Sequence, residues 1–248
     1  MRSGKEGIEM KTRRFLMLVS SVLLTVSFFG CAGFHRQAFN KDANQDIKKI
    51  GIIEQIEREK YCAENMGHVG TSFGLIGGTI AIADMASKRN TFTGLMKARD
   101  FKAVNEFQGM LLKQLEDTGY SVKMIRAQRA KHALLEKYDG LDNDVDVYLD
   151  FTLDAGYICA SSASDYIPYI GVVVRLVKRG TNEILYQELI DYGYKSKYQP
   201  KETARLPADQ QYYFRNFGTV KENPDLALEG LRKGVPLVSD HIAQSLRR

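Results

Sequence analysis

Three features of this 248-residue chain have residue types and spacing that could do chemistry: a serine set between glycines, aspartates at alternate positions, and three scattered cysteines. Gly70-Thr71-Ser72-Phe73-Gly74 follows the G-x-S-x-G pattern, in which a strained strand-to-helix turn exposes a serine hydroxyl. In an esterase of that kind Ser72 would attack, His241 would take its proton, and an aspartate such as Asp191 would orient the imidazole. The context argues against it, because such hydrolases carry several parallel strands and an oxyanion loop ahead of the serine, whereas one strand is expected before Ser72. A five-residue pattern also arises easily in a glycine-rich stretch. No catalytic residue is therefore expected, and a periplasmic serine hydrolase using Ser72 is kept as the alternative.

Asp142, Asp144 and Asp146 imitate the start of a calcium loop, but Val147 stands where that loop needs glycine and Leu153 where it needs glutamate. They read instead as a turn followed by the wet face of a strand. His35, His68, His132 and His241 lie far apart without metal-ligand spacing, and no phosphate-binding glycine fingerprint is present, so neither metal nor cofactor is expected. The cysteines at 31, 62 and 159 form no C-x-x-C pair. Cys62 and Cys159 could be joined in an oxidising compartment or remain two buried thiols, and spacing does not decide between them.

Cys31 is different, because it ends a leader-like segment. Lys11, Arg13 and Arg14 precede an apolar stretch over residues 15–29 that closes on Gly30-Cys31-Ala32. Fifteen helical residues reach about 22 Å, short of the ~30 Å hydrocarbon core, which favours a cleaved signal over a spanning anchor. Met10 is the expected start, since it puts the basic cluster at the extreme terminus. The formal charge of +5 falls to +2 once residues 1–30 are set aside, because five basic residues there face two acidic ones. With no basic run after residue 30, nucleic acid is not expected as a partner.

The elements that must position these residues follow from composition and period. At 44% hydrophobic and 26% charged, the chain can bury a core. Residues 31–46 are polar and aperiodic, as a tether would be, and 47–248 are expected to form one domain. Strands are predicted over 47–56, 120–126, 144–154, 168–178 and 184–194, the last two joined as a hairpin by Arg179-Gly180-Thr181-Asn182. In the third, Val145, Val147, Leu149, Phe151 and Leu153 alternate with polar residues, which places Asp150 and Asp154 together on a wet face. A helix is predicted over 95–118 with Phe101, Val104, Phe107, Leu111 and Leu115 on one side and Gly119 as its stop, and a short helix through Lys137. A terminal helix starts at Asn223-Pro224 and is expected to kink at Gly234 and Pro236. The pattern predicts an α+β fold: a mainly antiparallel sheet with helices packed on one face.

Two further stretches suggest surfaces. Gly70, Gly74 and Gly78 recur every four residues within the apolar run 69–86, which on a helix would allow close approach by another helix or a membrane-associated oligomer; a packed or interfacial segment is the expectation. Six tyrosines and two phenylalanines fall between residues 186 and 217, and the loop 195–217 with Arg205 and Arg215 is expected to offer a partner surface.

Phe28-Phe29-Gly30-Cys31 resembles a bacterial lipoprotein signal, with Phe28 where such signals usually carry leucine. The resemblance implies that Cys31 receives diacylglycerol before cleavage and carries a palmitate-type lipid, and Ala32 implies an outer-membrane address. Gly77-Gly78 before a helix, the Asp-Val-Tyr-Leu-Asp-Phe strand and the Val-Val-Val-Arg-Leu-Val hairpin resemble, in element order over residues 47–246, small Gram-negative envelope lipoproteins of the transport-auxiliary and curli-pore kind. That resemblance implies a lipid-anchored, periplasm-facing accessory or assembly factor, non-enzymatic, with a membrane contact through Cys31 and an envelope protein as partner.

Overall fold

A computed structural model of the chain describes residues 34–67, 74–130, 132–196 and 200–247. Within the unit His35–Arg248 the chain runs β1 (Lys49–Ile53), β2 (Cys62–Asn65), α1 (Gly74–Lys97), α2 (Ala103–Asp117), β3 (Ser121–Ile125), β4 (Val147–Cys159), β5 (Ile167–Lys178), β6 (Ile184–Gly193), β7 (Ala204–Leu206), α3 (Phe217–Glu222) and α4 (Pro224–Ser245).

The fold is α+β, but the sheet is mixed rather than mainly antiparallel. Its order is β3-β1-β4-β5-β6-β7, with β2 also on β4. The β4–β5–β6 meander is antiparallel, whereas β1 with β3, β1 with β4, β2 with β4, and β6 with β7 are all parallel. Alternation along a strand reports its two faces and says nothing about the direction of the strand beside it, which is why the period was legible and the pairing was not. β1 and β2 share one edge of β4, on Val147–Leu149 and Gly156–Cys159 in turn. Between them the edge is completed by side chains: Gln55 Nε2 donates to Phe151 O at 2.5 Å and Arg58 Nε to Leu153 O at 2.8 Å. Buried carbonyls are thus satisfied where no strand reaches.

Helices pack on one face. Val147, Leu149, Phe151, Leu153 and Tyr157 of β4 share a core with Phe92 and Met96 of α1, Phe107, Leu111 and Leu115 of α2, and Leu231, Val235, Val238 and Ile242 of α4. The predicted helix over 95–118 is two helices, since the chain turns at Asp100 in the left-handed region (φ 50°) before α2 begins. Gly119 stops α2 as expected, at φ 95°. α4 begins at Pro224 and runs unbroken past Pro236 to Ser245. Gly230 and Gly234 serve there as seats for aromatic rings: a Cβ on Gly234 would lie 2.4 Å from Tyr192 Cδ1, and the Tyr192 hydroxyl donates to Gly230 O at 3.1 Å.

The second face is not uniformly wet. Around the short helix expected through residue 137, the described residues 127–130 and 132–141 are irregular instead, and they cover Tyr148 and Val177 with Leu135 and Tyr138. Beneath them Asp150 is fully buried, 3.0 Å from Arg129 Nη1, whose side chain is 2% exposed. The Leu135 N–H donates to Asp150 at 2.7 Å and the Tyr138 hydroxyl at 3.0 Å. Asp154, four residues on, is half-exposed and ion-paired with Arg58 at 3.0 Å. The two aspartates read as equivalent are therefore opposites. Among the described residues of the loop expected over 195–217, Tyr212, Phe214 and Phe217 are buried and belong to the core, while Arg205 and Arg215 are exposed.

Candidate functional site

Of the residues singled out in the sequence, Cys31, Gly70 and Ser72 lie outside the described residues, while Gly74 opens α1 and Gly78 follows one turn later. Further along α1, Ile82 is 65% exposed beside exposed Ala83 and Ala86, before Phe92 and Met96 turn into the core. His241 and Asp191 are not brought together. On β6, Tyr186, Glu188, Ile190 and Tyr192 lie opposite Leu176, Val174, Val172 and Ile170 and face the helices, whereas Asp191 faces away from them.

His241 turns instead to Glu188, and this pair belongs to a cluster the sequence did not reveal. The Glu188 carboxylate is fully buried; its Oε2 lies 2.9 Å from His241 Nε2 and accepts from the Tyr186 hydroxyl at 2.7 Å, and Oε1 lies 2.6 Å from Arg36 Nε. Burial pushes its pKa up, but His241, Tyr186 and Arg36 outweigh that and hold the carboxyl below the usual range. A signal was present: Glu188 occupies an inward position between Tyr186 and Ile190, and a carboxylate at such a position requires a partner.

Arg36 belongs to the stretch expected to be a tether. Residues 35–37 add to the outer edge of β6: the Gln37 N–H donates to Gln187 O at 2.8 Å and the Gln37 carbonyl accepts the Gln187 N–H at 2.9 Å. Gln37 Nε2 donates to Ile184 O at 2.5 Å, Gln187 Nε2 to His35 O at 3.0 Å, and the Arg36 N–H to Glu202 at 3.2 Å. Phe39 then packs on the main core. The compact unit thus starts at His35 rather than residue 47. Together with β7 on Ile190, Asp191 and Tyr192, the segment covers an edge that would otherwise offer unpaired backbone groups.

The opposite face carries an open cavity of about 520 Å³ lined by Arg58, Cys62, Arg89, Asp154 and Tyr169, among others. Its charges are largely matched: Arg58 holds Asp154, and Arg89 holds Glu64 at 2.5 Å. The Cys62 thiol is pushed up to about 12, by burial first and by Glu64 and Asp154 after it, and burial also lifts the Tyr169 hydroxyl well above its ordinary range. Neither is an activated nucleophile at neutral pH. Cys62 and Cys159 are both free, and they lie on opposite faces, Cys62 opposite Gly156 and Cys159 in the helix-side core. Beyond the cavity wall Asp191 is 2% exposed and neither oxygen has a hydrogen bond of good geometry. Burial raises it to about 6, with Tyr169 and Arg205 pulling it back only in part.

The calcium-like aspartates tie strands together. Asp146 accepts both the Lys48 and Lys49 N–H at 2.8 Å, Asp144 pairs with Lys49 at 2.6 Å, and Asp142 with Lys123 at 2.8 Å. Among the described residues no group of three His, Cys, Asp or Glu side chains could hold a metal, and no helix is long and apolar enough to cross a membrane. In comparisons with known proteins, the chain matches no family model and no curated protein.

Proposed function

We propose that the chain is a lipid-anchored envelope protein, held by Cys31 at the outer membrane and facing the periplasm, where it acts as a non-enzymatic accessory or assembly factor. The observation that carries this reading is the basic cluster at Lys11, Arg13 and Arg14 followed by the apolar stretch 15–29 and Gly30-Cys31. The matched charges and protonated thiol of the cavity, and the separation of His241 from Asp191, support a binding rather than a catalytic role. Metabolic labelling with a tagged fatty acid tests the anchor: Cys31→Ser should abolish labelling and leave an uncleaved precursor, and equal labelling of variant and parent would contradict it. Fluorophosphonate labelling that disappears in Ser72→Ala would favour the hydrolase instead.

A second reading, association of copies through the glycine-rich start of α1, is favoured by the exposure of Ile82 and its alanine neighbours. Sedimentation of the parent as an oligomer and of Ile82→Asp as a monomer is its expected outcome.

A further inference from the structure

The docking of residues 35–37 on β6 has a geometric consequence for a chain anchored at Cys31. His35 lies four residues on from Cys31, and even a fully extended chain covers no more than about 14 Å over those four steps. Were residues 35–46 loose, the first fixed point would be buried Ile47, sixteen residues on, and the reach would be about 55 Å. Two backbone hydrogen bonds from Gln37, two side-chain amide bonds, and the Arg36–Glu188 ion pair fix the short option.

We infer that this docked segment acts as a latch that holds the β6–β7 edge of the sheet against the lipid surface, so that the domain stands edge-on to the bilayer with β3 farthest from it. The inference rests on the lipid-anchor reading above. The surface so presented includes exposed Lys201 and Arg205 together with exposed Glu183, Asp209 and Glu202, the last accepting the Arg36 N–H. From the docked segment through β6, β5, β4 and β1 to β3 is five strand steps, about 24 Å at ~4.8 Å each.

The test uses the natively lipidated chain, extracted from membranes and reconstituted into phosphatidylethanolamine–phosphatidylglycerol vesicles with an acceptor dye on the headgroups. In a Cys62→Ser background, a donor dye is placed at Lys201→Cys or at Ser121→Cys, both exposed positions. Energy transfer should be strong from position 201 and largely lost from position 121. Gln37→Pro, which removes the N–H that bonds Gln187 O, and Arg36→Gln, which spares the backbone, should each erase the difference between the two positions. A chain that floats with the vesicles but transfers equally from both positions would overturn the edge-on orientation while leaving the anchor intact. A difference that survives both latch variants would overturn the latch. A chain that does not float at all would overturn the anchor and the orientation together.

Discussion

Asp191→Asn isolates the cost of a carboxylate buried without a matched partner. Its displacement from 3.8 to about 6 corresponds to about 3 kcal/mol at 1.36 kcal/mol per pH unit, and to about 1–2 kcal/mol once screening around exposed Arg205 is allowed for. The sign follows from proton linkage. Below 3.8 the carboxyl is protonated in folded and unfolded chain alike, and its burial carries no charge. As the pH climbs from 3.8 towards 6 the unfolded chain releases its proton first, so the folded state loses stability across that window. Asparagine keeps the shape and does not titrate. In urea denaturation the variant should exceed the parent by about 1–2 kcal/mol near pH 7.5, or about 2–8 °C in melting temperature for a domain of this size, and the gain should be smaller at pH 4.5 and shrink towards zero only below 3.8. Titrations common to both chains cancel in the difference. A difference that does not change with pH, or an asparagine variant that is less stable at pH 7.5 than at 4.5 relative to the parent, would show that Asp191 is held as a well-paired carboxylate and refute the reasoning.

Further substitutions examine the rest of the fold. Asp150→Asn should destabilise by about 3–5 kcal/mol because it strands the buried Arg129, whereas Asp154→Asn, at a half-exposed pair, should cost under about 1 kcal/mol; chemical denaturation that ranks them the other way would remove the buried pair. Gly156→Ala would set a Cβ 2.0 Å from Cys62 O, so β2 should detach from β4, seen as faster amide exchange over residues 62–65. Cys62 and Cys159 should both titrate as free thiols in non-reducing denaturant, and the folded chain should react slowly at neutral pH; a single disulfide would contradict the placement on opposite faces.

Sequence patterns were most legible where one physical requirement dominated. The period of β4 follows from one face meeting the helices, and α2 and α4 announce themselves through Phe107, Leu111 and Leu115 and through Leu231, Val235, Val238 and Ile242. Asp150 was misread because a strand's polar positions look alike whether they face water or a covering loop, and only tertiary structure brings Arg129 and Tyr138 over it. β2 and β7 are too short and too polar to show a period, so they exist through the neighbours they pair with. Gly234 looked like a helix breaker, yet the missing side chains of Gly230 and Gly234 accommodate Tyr157, Tyr192 and Tyr212. In the candidate site, the latch joins residues about 150 positions apart, Arg36 to Glu188 and Gln37 to Gln187, a separation at which local pattern carries no information. His241 was noticed as a titratable residue, but its partner proved to be Glu188 on the helix-facing side of β6 and not Asp191 on the other.

Intact-mass and N-terminal peptide analysis of the mature chain purified from envelopes tests the anchor most directly. The account predicts a polypeptide that begins at Cys31 and carries diacylglycerol on its thiol, with residues 1–30 absent. A mature chain that begins elsewhere, or that contains Cys31 as an unmodified thiol, would contradict it.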